Sequence, residues 1–311
     1  MLFRSQERER EGTRWTLTRF VFHMKNVTRD FLYPREKDDP RSSLDCDRDT
    51  EEEIKNIIKI YPDVLLGDRP TNYRPSVRNV SFVPIITWMR ANYFYVSSRD
   101  RRDYGLRHLL MMSADYGSPG NDETLYDIRC AAALRRLKEM KLISGEEEGL
   151  DGEGFTPLER LLYNHGHHEC FPVNRFWLLV SWDPHQLAMP RIPGGHYLEN
   201  PTEVGYLPLH FARWNSSLQG FGFVFEAGLR YFPRRRGLQF LFQENSIGQS
   251  PFELACEGYG TTRVMKVINE ALIECSDNPY DALETLVTAA IDDRISLDCV
   301  YFVCRREPDI L

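Results

Sequence analysis

The chain has 311 residues, of which 42% are hydrophobic and 27% charged, with a formal net charge of −7 at pH 7. This content allows a sizeable hydrophobic core in one long or two ordinary domains, and the negative charge disfavours a nucleic-acid binder. No apolar run reaches the roughly 18 residues of a membrane span, and the N-terminus lacks an apolar signal segment, so we expect neither membrane association nor export.

The seven cysteines are odd in number and scattered along the chain. This distribution predicts free thiols in a reducing compartment and not a disulfide framework. We therefore predict a cytoplasmic protein, with the nucleus as the alternative.

Residues 1–48 are weakly patterned and are predicted to be a partly disordered extension. A charged run from Glu7 to Arg14 precedes an apolar patch between Trp15 and Met24, which could dock on the first folded unit. A first helix is predicted from residue 49, where acidic residues 51–53 occupy the first turn and favour the helix dipole.

A helix start that contains proline recurs along the chain, at Pro84, Pro157, Pro208 and Pro251. In the clearest copy, Ser250 is a favourable N-cap and Pro251 suits the first helical position. A short apolar helix, a glycine turn and a longer helix with one apolar face then follow. The predicted unit is therefore a turn and two helices.

The starts are separated by 51 residues between Pro157 and Pro208 and by 43 between Pro208 and Pro251, and a proline-free copy is predicted near residues 283–290. Such periods, with two helices per unit, are typical of helical solenoids. We predict one array over residues 49–311. Its units lie near 49–79, 80–150 with an inserted helix at 121–143, 151–204, 205–247, 248–280 and 281–311.

Three of these starts resemble the D-x-x-G-x-T-P-L start of an ankyrin repeat. They are Asp151–Leu158, Gly205–Ala212 and Gly248–Cys256. The resemblance implies an all-α fold, an ankyrin-like helical-repeat solenoid (an α-α superhelix) with long inter-repeat loops.

The chain departs from the ankyrin pattern in three respects. The histidine of T-P-L-H is present as His210 but is replaced by Glu159 and Glu253 at the other two starts. Proline endings replace the Gly-Ala-Asp ending of the second helix, and the units are longer than the 33 residues of an ankyrin repeat.

The resemblance implies a non-catalytic protein–protein interaction scaffold with a protein partner of unknown identity. Contacts are expected just before each first helix and at its exposed end. These positions are Arg90, Glu153, Phe155, Tyr163, Asn164, Tyr206, Trp214, Asn215, Gln249 and Glu257. The aromatic side chains among them would anchor an interface, but aromatic side chains also pack well between neighbouring units. Both interpretations stay open.

Two other clusters suggest alternatives from different functional classes. Residues His165–Cys170 contain imidazoles and a thiol, which could make a metal-binding protein or enzyme, although their spacing fits no zinc finger and favours a polar loop. Arg230 and Arg234–Arg236 could bind phosphate or nucleic acid, although cations near a helix C-terminus are commonly only solvated. No nucleophile elbow or phosphate loop is present. We therefore predict no catalytic residue, no bound metal and no cofactor.

Overall fold

The computed structural model describes residues 23–28, 32, 44–45, 47–60, 65, 79–93, 109–110, 123–143, 155–163, 171–190, 205–215, 217–232, 236–275, 281–292 and 295–307. The regular secondary structure of these residues is helical, apart from one isolated antiparallel bridge between Gln243 and Ile295. The all-α fold class is therefore confirmed. The predicted extension at 1–48 falls mostly outside the described residues, and the unit boundaries stay predictions.

Twelve α-helices are described from their first to their last residue. They are α1 (Glu51–Ile60), α2 (Val83–Tyr93), α3 (Glu123–Glu139), α4 (Pro157–Tyr163), α5 (Val173–Trp182), α6 (Pro208–Asn215), α7 (Leu218–Tyr231), α8 (Arg236–Gln239), α9 (Pro251–Tyr259), α10 (Thr261–Glu274), α11 (Ala282–Ile291) and α12 (Asp298–Arg306). Short 3-10 turns occupy Val80–Phe82 and Pro184–Ala188, and residues 23–28 are also helical.

The helix starts follow the proline signals of the sequence. Pro157, Pro208 and Pro251 are the first residues of α4, α6 and α9, and Pro84 is the second residue of α2. Proline suits the first turn of a helix, because an N–H there would have no helical partner and the absence of one costs nothing. Its φ is also already helical. The predicted inserted helix at 121–143 corresponds to α3, and the predicted proline-free copy lies within α11.

Helices α3 to α7, α9 and α10 pack in two adjoining rows. Helix α6 contacts both α4 and α9, while α5 contacts α3 and α7, and α7 contacts α10. Consecutive helices also pack in pairs, α4 with α5, α6 with α7 and α9 with α10. The first helix of each pair therefore lies beside the first helix of the next pair.

The last pair, α11 and α12, docks differently. Helix α11 contacts α8, and the backbone N–H of Ser296 donates to the carbonyl oxygen of Phe242 at 2.8 Å. The Phe302 ring of α12 lies 5.6 Å from the Phe242 ring. Phe242, in the segment between α8 and α9, therefore holds the last pair of helices against the body of the protein.

Two clusters of buried hydrophobic side chains meet at α2. Val83 belongs to the larger cluster, which extends through the helix rows to Val303 in α12. Ile85, Ile86 and Met89 belong to the smaller cluster, which includes Ile54 and Ile58 of α1. Two ion pairs also join the start of α1 to α3, Glu51 with Arg136 and Asp47 with Arg129. Helix α1 is thus attached by a small core of its own and by charges.

Candidate binding face of the first helices

Helices α4 and α9 begin with the same reciprocal capping box. In α4, the N–H of Thr156 donates to Glu159 Oε2 at 2.8 Å, and the N–H of Glu159 donates to Thr156 Oγ1 at 3.1 Å. In α9, Ser250 and Glu253 make the corresponding bonds at 2.8 and 3.2 Å. Each box satisfies backbone donors that a helix start would otherwise leave unpaired.

A buried histidine closes the same turn in α6. The N–H of Leu207 donates to His210 Nδ1 at 2.9 Å, and His210 Nε2 lies 3.2 Å from the carbonyl oxygen of Gln249. Because Nδ1 accepts, the ring proton lies on Nε2, which donates to that carbonyl. Burial lowers the pKa of His210 to about 4, so the ring is neutral near pH 7. The histidine thus links the starts of α6 and α9.

Two of the aromatic residues predicted to contact a partner are buried. Phe155 is 4% exposed and its ring lies 4.8 Å from that of Tyr163 and 6.5 Å from that of Phe211. Tyr206 is 1% exposed and lies 5.6 Å from Phe211. These rings fill the space between α4 and α6, so the packing interpretation describes Phe155 and Tyr206 in this structure.

Two of the other predicted contacts lie at the exposed ends of first helices. Tyr163 and Glu257 are exposed, and both are the seventh residue of their helices, as Trp214 is in α6. Gln249 is half-buried, and its carbonyl accepts the hydrogen bond from His210. The remaining predicted residues lie outside the described residues or have side chains that do. They are Glu153 and Asn164, and the side chains of Arg90, Trp214 and Asn215.

The turn before α9 exposes an apolar side chain that sequence reasoning missed. Asn245 Oδ1 accepts the N–H groups of Ile247 and Gln249, both at 3.0 Å, and Gly248 follows with a φ of 75°. This tight turn leaves Ile247 51% exposed. The asparagine and the glycine are recognisable turn signals, so an apolar residue between them could have been identified as exposed.

A buried ion pair between α3 and α5 was also missed. Arg175 Nε lies 2.7 Å from Asp127 Oδ1, and both side chains are almost fully buried. Asp127 Oδ2 also accepts the N–H of Asn174 at 2.6 Å, in the first turn of α5, whose own N-cap residue is Pro172. Proline has no side-chain acceptor, so the carboxylate of another helix caps this one. The pair therefore joins α3 to α5 and caps the start of α5.

Burial keeps two of the described cysteines protonated. Cys130, Cys256, Cys275, Cys299 and Cys304 are free, as predicted. Burial raises the pKa of Cys130 to about 11 and that of Cys299 to about 12. Both thiols therefore stay protonated near neutral pH, whereas a nucleophilic cysteine needs a thiolate.

The two alternative clusters stay predictions. Residues His165–Cys170 lie outside the described residues, and the part of the chain that the structure describes contains no group of three possible metal ligands. Arg234 and Arg235 are likewise outside, as is the side chain of Arg236. Arg230 is exposed and pairs with Glu226 at 2.5 Å, within its own helix.

In a comparison with known proteins, no family model, no curated protein and no solved structure matches this chain.

Among the described residues, no helix has both the length and the apolar character that crossing a bilayer requires.

Proposed function

We propose that the chain is a non-catalytic scaffold that binds a protein partner along the row of first helices in an ankyrin-like helical-repeat array. The observation that carries the proposal is the packing of α6 against both α4 and α9, with α5, α7 and α10 behind them. Helix pairs stacked in this way bury a continuous core and leave an extended surface for binding.

The proposed binding face consists of Tyr163, Trp214, Glu257 and Ile247. The first three occupy the same position in neighbouring helices, and Ile247 lies in the turn before α9. Aromatic side chains give large contact areas at a low cost in conformational entropy and are common interface anchors. The partner should therefore present apolar side chains to Tyr163 and Trp214, and a basic group to Glu257.

The test begins with affinity capture by the full chain and continues with the purified partner in titration calorimetry. Trp214→Ala and Glu257→Lys change the proposed face, whereas Ile273→Lys changes a residue of α10 that is 67% exposed. Loss of an anchor residue should weaken binding by at least about tenfold, equivalent to ~1.4 kcal/mol. The Ile273→Lys variant should bind like the wild type.

The same experiment can contradict the proposal in two ways. Equal affinity of all three variants would place the interface elsewhere on the protein. A full chain that captures no partner above background would argue against a scaffold.

A further inference from the structure

Helix α11 exposes a stripe of branched apolar side chains. Leu283 is 62% exposed, Val287 51% and Ile291 75%. Their spacing of four residues places them on one face of the helix, while Thr285 and Ala289 are buried on the opposite face. An outward face is normally polar, so this helix is apolar on both sides.

The neighbouring helix adds two more exposed side chains of the same kind. Helix α12 packs against α11, and Leu297, just before α12, and Tyr301, within it, are 70% and 72% exposed. The five side chains expose roughly 600 Å² together, about three-quarters of the ~800 Å² that each partner contributes to a standard interface. Apolar surface of this extent marks an interaction site on a folded protein.

We propose that this surface is the interface of a homodimer in which the α11 helices of two copies pack antiparallel across a two-fold axis. In that arrangement Leu283 lies against the partner's Ile291, and Val287 lies against its own counterpart at the axis. A two-fold interface must complement itself. The α11 stripe does so because it has similar branched side chains at its two ends and an apolar one at its centre.

The chemistry of the surface favours a second copy as the occupant. The exposed positions of the stripe carry no charge, and complete coverage of the five side chains in both copies would bury about 1,200 Å², the lower end of the range of stable interfaces. Each chain has a net charge of −7, so the two copies repel each other electrostatically. Apolar burial must therefore drive the association, and salt should strengthen it by screening that repulsion.

The first test is the molar mass of the full chain by sedimentation equilibrium, at protomer concentrations up to ~100 μM. The mass should rise with concentration from 36.4 kDa to twice that value, and the dimer should tighten as salt is added. A mass that stays at 36.4 kDa over the whole range would overturn the proposal.

The second test uses opposite charges at the two-fold axis. Val287→Glu and Val287→Lys each place two like charges against each other, so each variant alone should lose dimer affinity by at least ~100-fold. An equimolar mixture should recover the dimer, because glutamate then faces lysine. Val287 is half exposed, and circular dichroism should show that both variants keep the helical fold.

The matched control is Ile273→Lys, which places a charge at an exposed apolar position of α10 and should dimerise like the wild type. Two results would overturn the proposed geometry. One is a Val287→Glu protein that dimerises as tightly as the wild type. The other is a mixture of the two charged variants that stays monomeric while the wild type dimerises.

Discussion

At the start of α6, a histidine does what a glutamate does at the starts of α4 and α9. Glu159, His210 and Glu253 all accept the backbone N–H of the residue three positions before them. A carboxylate can only accept, whereas a neutral imidazole accepts with one nitrogen and donates with the other. The second bond, to the Gln249 carbonyl, therefore requires a side chain that donates as well as accepts, which a glutamate carboxylate cannot do.

The neutral state of His210 predicts a stability that depends on pH. Burial lowers its folded-state pKa from 6.5 to about 4, so the unfolded chain takes up a proton at a higher pH than the folded one. The contribution of His210 to the free energy of unfolding is complete above about pH 6.5. It falls progressively as the pH decreases to about 4, by about 3 kcal/mol in total. Urea unfolding at several pH values measures this decrease.

The control for this prediction is His210→Asn, whose side-chain oxygen can still accept the N–H of Leu207 but does not titrate. This variant should be less stable near neutral pH because it loses the bond to Gln249. Its unfolding free energy should change less with pH over the same window. The same pH slope in both proteins would show that His210 is not the titrating group.

The buried ion pair predicts an unequal effect of two similar substitutions. Asp127→Ala leaves the Arg175 guanidinium buried without its counter-ion and removes the cap of α5, so it should cost about 3–5 kcal/mol. Asp47→Ala removes a pair in which Arg129 and Asp47 are 20% and 73% exposed, and it should cost at most about 1 kcal/mol. Denaturant unfolding compares the two. Equal losses would mean that Asp127 and Arg175 are solvated in solution.

At the scale of a helix, α9 shows how a small side chain permits close packing. Ala255 is fully buried between helices, so Ala255→Asp would bury a carboxylate without a partner. We expect this substitution to unfold α9 and α10, as measured by a thermal melt and limited proteolysis. Ala132→Asp, at an exposed position of α3, should cost only the helix propensity, below about 1 kcal/mol. Similar melting temperatures for the two variants would contradict the packing of α9.

The starts of α4, α6 and α9 could be predicted to the residue because capping is local. Ser250, Pro251 and Glu253 adjoin in sequence, so their roles follow from the chain itself. The cap of α5 could not be predicted, because its acceptor is Asp127, 47 residues before Asn174. Only tertiary packing brings these two residues together.

The orientation of apolar side chains was also beyond the sequence. Phe155 and Tyr163 are both aromatic, yet one is buried and the other exposed. Helix α11 has apolar residues on two faces, so periodicity did not show whether Leu283 or Ala289 would be buried. In each case the neighbouring helix decides which side chain is covered.

At the scale of the whole molecule, the two hydrophobic clusters differ in how they are anchored. The larger cluster spans the paired helices, whereas the smaller one depends on α1, α2 and a few residues before them. The ion pairs from α1 to α3 are partly exposed, so each contributes at most about 1 kcal/mol and weakens as salt is added. The region around α1 should therefore open more readily than the helix rows.

This difference predicts that changing a buried isoleucine to alanine affects only the cluster to which that isoleucine belongs. Ile54 and Ile268 are both fully buried, in the smaller and the larger cluster respectively. Each change to alanine removes the same atoms and should cost about 2–5 kcal/mol within its own cluster. Hydrogen exchange with mass spectrometry should show that Ile54→Ala accelerates exchange in α1 and α2 and leaves α7 and α10 unchanged. Ile268→Ala should accelerate exchange in α7, α9 and α10. Faster exchange throughout the chain in the Ile54→Ala variant would contradict this prediction. It would show that the two clusters unfold as one cooperative unit.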